Sequence, residues 1–174
     1  MESVSLSPVK ILREIGVSGD SYVADFGCGP GVFALPAATL TDGVVYAIDI
    51  RQDVLAHCMR EASHENIDNI VPRHANLERD RGSELDSESV DFVIMRKVIS
   101  QNENKGRLFR EAHRVLKESG TLLVIGWVDG SPVGLAQEDL VSPESMRSLA
   151  RGADFRDPRG IILNVHHFGI VFSK

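Results

Sequence analysis

Cysteine is scarce in this chain, with two in 174 residues, which excludes a disulfide framework or a thiolate zinc site. Cys28 lies in a glycine-rich loop and Cys58 in a helical pattern, and each reads as a small space-filler. Charge of one sign is also missing. The net charge of −6 comes from 25 acidic and 19 basic residues spread along the chain, leaving no polybasic footprint for nucleic acid or a membrane surface. No run approaches the ~18 apolar residues of a membrane span. Met1-Glu2-Ser3-Val4-Ser5-Leu6 lacks a basic segment followed by an apolar stretch. These absences lead to the expectation of a cytoplasmic protein with no membrane contact, for which nucleic acid is a disfavoured partner. The six histidines are scattered: His57, His64 and His113 on predicted helices, His74 on a strand, and His166-His167 before the last strand. Adjacent strand residues face opposite ways, so that pair cannot share one metal. No metal site is expected, and both histidines are assigned surface or partly buried roles.

What is present is a core. The 43% hydrophobic content suits one domain over 1–174, because a domain near 150 residues buries roughly 70% of the surface its unfolded chain exposes. The chain is organised around Val23-Ala24-Asp25-Phe26-Gly27-Cys28-Gly29-Pro30-Gly31-Val32-Phe33-Ala34, which reads as strand, tight turn and helix. Glycines serve where the backbone takes positive φ or a ligand approaches closely, and amides at the start of the next helix point outward without partners. The dinucleotide fingerprint G-x-G-x-x-G/A would need a small third residue, but Val32 stands there. Instead Gly31 comes one residue early, and Asp25 precedes the first glycine by two.

The remaining elements follow from pattern. Ser7-Pro8, then Val9, Ile11, Leu12 and Ile15 closed by Gly16, predicts a helix over 7–16. The helix after the glycines should run to about Leu40. Val44–Asp49 reads as a buried second strand ending in an acid 18 residues past Gly31. Ligands sit at the carboxyl ends of strands in doubly wound sheets, where such an acid can accept hydrogen bonds from both ribose hydroxyls. Alternatively, Asp49 caps the helix predicted from about Gln52 to His64. Ile70–Ala75 is a weaker strand. Glu78–Ser89, dense in both charges, reads as a solvated loop. Val90–Met95 is a fourth strand. Leu108, Phe109, Ala112, Val115 and Leu116 define an amphipathic helix ending at Gly120, and Leu122–Trp127 a fifth strand. Val128–Val141, with Gly130, Pro132 and Gly134, is a candidate lid. Ser142-Pro143-Glu144 opens a last helix, and two strands follow.

Asp-x-Gly-x-Gly-x-Gly with the distant Asp49, the acid-led fourth strand, and Arg114-Val115-Leu116-Lys117-Glu118-Ser119-Gly120-Thr121-Leu122-Leu123 together resemble the Rossmann-like (class I) methyltransferases that use S-adenosylmethionine. The resemblance is to their small methyltransferase-11-type members. It spans the chain from Ile11 to the last strand. It implies a three-layer, doubly wound α/β fold with a mostly parallel seven-stranded sheet, order 3-2-1-4-5-7-6, ending in an antiparallel hairpin. It further implies Asp25, Gly27, Cys28, Gly29 and Gly31 around the methionine part of the cofactor and Asp49 on the ribose. Ile50, Asn76 and Leu77 would surround adenine, and Met95 and Arg96 would flank the transferred methyl. Asn76 stands where the family often has an acid; its carbonyl can accept the same bond, or it is a plain loop residue. Arg96 is unusual: pointing inward, it binds an anionic substrate or repels the sulfonium; otherwise it faces solvent or pairs with an acid.

Methyl transfer from a sulfonium rests on placement more than on acid or base residues, and placement can supply roughly 7–11 kcal/mol. A missing triad is therefore no argument against an enzyme, and no general base is assigned. The reading is methyl transfer from S-adenosylmethionine to a small-molecule or protein acceptor. Little chain is left to cover the site, so it is open to a larger partner, or a second copy or another protein closes it. A non-catalytic subunit that binds the cofactor is the alternative; a nicotinamide-dependent oxidoreductase is disfavoured by Val32.

Overall fold

The computed structural model describes residues 7–128, 140–164 and 166–174; the lid expected over Val128–Val141 lies largely outside them. Helix α1 (Pro8–Ile15) opens with the Ser7 hydroxyl accepting the Lys10 N–H at 3.4 Å and closes on Gly16 at φ 102°. Strand β1 (Val23–Phe26) leads through the glycine loop to α2 (Ala34–Ala38), which ends short of Leu40. Then come β2 (Val45–Asp49), α3 (Gln52–His64), β3 (Ile70–His74) and β4 (Val90–Arg96). A 3-10 turn (Ile99–Gln101), α4 (Lys105–Val115), β5 (Leu116–Trp127), α5 (Pro143–Arg151), β6 (Arg156–Asn164) and β7 (His167–Ser173) complete the order.

All seven strands form one sheet in the order β3-β2-β1-β4-β5-β7-β6. β7 runs antiparallel to both β5 and β6, and the other pairs are parallel. The order and terminal hairpin implied by the resemblance are those observed. Strand side chains alternate between two covered faces. Val23, Val45, Ala47, Ile94 and Leu123 pack under α1, α2 and α3, whereas Ala24, Phe26, Val93, Met95 and Leu122 pack under α4 and α5. Among the described residues no helix is long and apolar enough to cross a membrane.

Two expectations need correction. Helix α4 stops at Val115 rather than Gly120, because the Glu88 and Ser89 amides take the Arg114 and Val115 carbonyls at 3.0 and 2.8 Å. Leu116, with ψ 137°, already pairs with Val90. The charged segment is also not wholly solvated. Leu85 and Ser83 are buried, and Ser83 donates through its N–H at 3.0 Å, and through its hydroxyl, to the buried Glu111 carboxylate. Arg114 closes the network, bonding Glu111 at 2.7 Å and the Leu85 carbonyl at 2.8 Å. Burial pushes the Glu111 carboxyl up, but the bonds from Arg114 and Ser83 more than offset this and hold it below its ordinary value. Its stabilising contribution is therefore present at neutral pH and is lost as acid protonates it in the folded state. Glu111→Ala should cost about 2–3 kcal/mol at pH 7, and the gap to the parent should narrow on acidification; urea unfolding at pH 7 and pH 4 measures both.

Candidate active site

The turn after β1 is shaped by bonds from the end of β2. The Gly27 and Cys28 amides both donate to the Ile48 carbonyl, at 2.8 and 3.0 Å. The Gly29 amide donates to Asp49 Oδ2 at 2.9 Å, and Asp49 Oδ1 takes the Arg51 amide at 2.9 Å. These three amides of the turn thus take their partners from the end of β2. Asp49 both caps the approach to α3 and fastens the loop. Gly27 and Gly31 are packed positions, where a Cβ would come within 2.8 Å of Val98 and 2.6 Å of the Cys58 sulfur. Gly29 differs: φ is 54°, and a Cβ there would meet no atom within 4 Å. Its open side faces the cleft.

That cleft is a hollow of about 270 Å³ lined by Asp25, the loop, Asp49, Arg96, Lys97 and Gln101. A second hollow, about 440 Å³, adjoins it and is lined by His74, Asn76, residues 79–82 and Glu84. Ile50 borders both and is 60% exposed, an apolar side chain shared by the two hollows. His74, opposite Asp49 in the β2–β3 register, reaches the Ile50 carbonyl at 2.9 Å. Asn76 uses its side-chain carbonyl to accept the Glu78 amide at 2.9 Å, so the acceptor expected to meet adenine already holds one hydrogen bond.

Asp25 is 2% exposed, and among the described residues its Oδ2 has no hydrogen-bond partner. Burial pushes its carboxyl up to about 7, against the opposing pull of the Ala34 amide and the Arg96 charge. Asp25 pairs with Ile94 in the β1–β4 register, so Arg96, two residues further, projects to the same side of the sheet.

A family model described as a methyltransferase domain matches residues 24–124, more than half of the chain. The chain belongs to that family. The family model's description names methyl transfer and leaves the acceptor open. Ribosomal RNA large subunit methyltransferase G of Colwellia psychrerythraea is 27% identical over 116 residues, covering 63% of this chain but only 29% of that protein. An S-adenosylmethionine-dependent methyltransferase from Aquifex aeolicus superposes with a TM-score of 0.87 at 22% identity, covering 97% of this chain and 89% of that one. Phosphoethanolamine N-methyltransferase 2 of Haemonchus contortus, solved with S-adenosylmethionine, gives 0.79 at 16% identity, covering 96% and 52%. At these identities the solved structures establish a shared fold.

Within this methyltransferase the expected site residues divide. Asp25, Gly27, Cys28, Gly29, Asp49, Ile50 and Arg96 border the first hollow, and Ile50 and Asn76 the second. Gly31 supports the loop from behind. Met95 does not flank the cleft: strand alternation turns it, with Phe26, to the opposite face, where it is wholly buried under α4. Leu77 likewise belongs to that core rather than to the hollow beside Asn76. Sequence reasoning passed over the far wall. Lys97, at φ 64°, lays its ammonium 3.7 Å from the Trp127 ring centroid, and His167 stacks on the same ring at 4.3 Å. Burial, then Lys97 and Arg96, lower the His167 ring to about 4, so it is neutral at physiological pH. A visible signal was Trp127 at a strand's carboxyl end.

Asp25 makes the site pH-sensitive. With a folded value near 7 and an unfolded value of 3.8, its contribution is full below about pH 4 and disappears as pH rises through 7. The parent should lose on the order of 3 kcal/mol between pH 5 and pH 8 that Asp25→Asn retains. Urea titrations of both proteins without ligand, at the two pH values, measure the difference.

Proposed function

We propose that this chain transfers a methyl group from S-adenosylmethionine to a small-molecule or protein acceptor, in the cytoplasm, as one domain over 1–174. The observation that carries the reading is the tie between Asp49 and the Gly29 amide, which holds open a side-chain-free wall beside a carboxylate. Asp25, Gly27, Cys28 and Gly29 are assigned to the methionyl portion, with Gly31 shaping the turn. Asp49 is assigned to the ribose: each of its oxygens has accepted one amide, and a carboxylate offers about four acceptor sites, so two remain for hydroxyls. Ile50 supplies the apolar surface for adenine and Asn76 a polar edge. S-adenosylmethionine, when bound, supplies an electrophilic methyl group on a sulfonium centre.

The net charge of −6 disfavours a nucleic-acid acceptor, although the Colwellia relative is named for ribosomal RNA; this chain spans less than a third of that protein. Two free cysteines suit a reducing compartment. The alternative, a subunit that binds the cofactor without transferring methyl, draws on Arg96, a cation facing the place assigned to a sulfonium. The fold is compatible with other chemistry, since a [4+2]-cyclase superposes with a TM-score of 0.80 at 16% identity.

Calorimetry should find binding of S-adenosylmethionine and S-adenosylhomocysteine and none of NADPH. Gly29→Val, strained at φ 54° and filling the wall, should abolish measurable affinity. Asp49→Ala should lower it roughly tenfold to a hundredfold. Unchanged affinity in Gly29→Val would sink the assignment. Binding without transfer of labelled methyl to any lysate component would favour the non-catalytic reading.

A further inference from the structure

The cleft wall opposite the glycine loop carries two adjacent cations, and among the described residues neither is ion-paired with a carboxylate. Arg96 is half-buried, and among the described residues its guanidinium makes no hydrogen bond and no ion pair, although it carries five donors in a planar fork. Asp25 acts on it only through space. Lys97 follows, also half-buried, and likewise has no carboxylate partner; its ammonium rests on the Trp127 face. The Lys97 backbone is held in the left-handed region, where its amide donates to the Ile125 carbonyl at 3.0 Å. Non-glycine residues adopt that region at a cost, and such strain concentrates where a side chain must be aimed. The turn beyond is braced by the Ser100 hydroxyl on the Lys97 carbonyl at 2.9 Å and by Asn102 on the Val98 carbonyl at 2.6 Å. Both side chains therefore project from a fixed backbone into the same hollow as the loop and Asp49.

Two neighbouring cations repel each other, and a bound sulfonium would add a third positive charge. Partly buried charges of this kind persist where a ligand supplies the opposite charge. Resting on the methyl-transfer reading above, we propose that Arg96 and Lys97 form the seat for an anionic group, a carboxylate or a phosphate, of the methyl acceptor, with Trp127 as the wall beside it. Arg96 supplies the directional fork and Lys97 a point charge. The acceptor is thereby a small acid rather than a neutral or cationic molecule.

Trp127 is the chain's sole tryptophan, so its fluorescence reports on this wall. The test titrates the protein, with and without saturating S-adenosylhomocysteine, with phenyl phosphate, benzoate and neutral benzamide. The proposal expects saturable binding of at least one anion, at least tenfold tighter than benzamide. The phosphate-to-benzoate ratio distinguishes the two acids. Arg96→Gln should weaken the anion tenfold or more, and Arg96→Lys by an intermediate factor. Calorimetric affinity for S-adenosylhomocysteine should stay within threefold, which also shows that the variants fold. Benzamide binding as well as benzoate overturns the proposal. So does an Arg96→Gln variant that loses S-adenosylhomocysteine as strongly as the anion, since the guanidinium then serves the methionyl carboxylate. If the parent binds anions but no adenosyl ligand, the methyl-transfer reading fails and the anion seat stands. The reverse result removes the seat alone.

Discussion

The site depends on one carboxylate. Asp49 accepts the amide of Gly29 from across the sheet and that of Arg51 from its own chain, while the preceding Ile48 carbonyl accepts Gly27 and Cys28. The last two residues of β2 thus supply the bonds that shape the turn leaving β1. This works only in one register, Phe26 beside Ile48; a slip of one residue would exchange the faces of every side chain on the strand. The buried alternation of Val23, Val45 and Ala47 against Ala24 and Phe26 specifies that register through the core. Packing far from the cleft therefore determines the loop's geometry.

The same alternation sorts the site from the core. Asp25 and Arg96 share a face, and Phe26 and Met95 share the other. A residue on the first face at the strands' carboxyl ends reaches the cleft. A residue on the second is covered by α4. The cleft face pays in stability, since among the described residues one oxygen of buried Asp25 has no partner, and burial, with a smaller push from Asp49, drives its carboxyl toward neutrality. Perturbed groups of this kind gather where binding, not folding, sets the requirement.

Much of this was legible in the sequence because it is local or periodic. Helix α3 runs from Gln52 to His64 as its apolar spacing indicates, and the three glycines all take positive φ. What was not legible depends on distant partners. The Leu116–Gly120 segment has a helical composition, but the carbonyls that would continue the helix are taken by Glu88 and Ser89. Leu85 lies in a charged stretch yet is buried, its amide meeting the Ser83 hydroxyl that bonds Glu111. Trp127 meets His167 only through the antiparallel register of β5 with β7, which no short-range pattern encodes. The resemblance places Met95 and Arg96 side by side, but adjacent strand residues face opposite ways, and Met95 faces the core under α4.

The charges of the cleft can be ordered by how freely each can change. Arg96 stays protonated at any relevant pH, and Asp49 is engaged by two amides. Asp25 is the adjustable one, since a carboxyl near 7 shifts toward its ionised form when a cation comes close. A positively charged ligand beside it therefore gains a counter-charge that is largely neutralised in its absence at mildly acidic pH. Arg96, on the same face, then has an anion on one side and the open cleft on the other. A cationic methyl donor and a fixed guanidinium can share the hollow because Asp25 supplies charge on demand, and an acid entering from the Trp127 side would complete the balance.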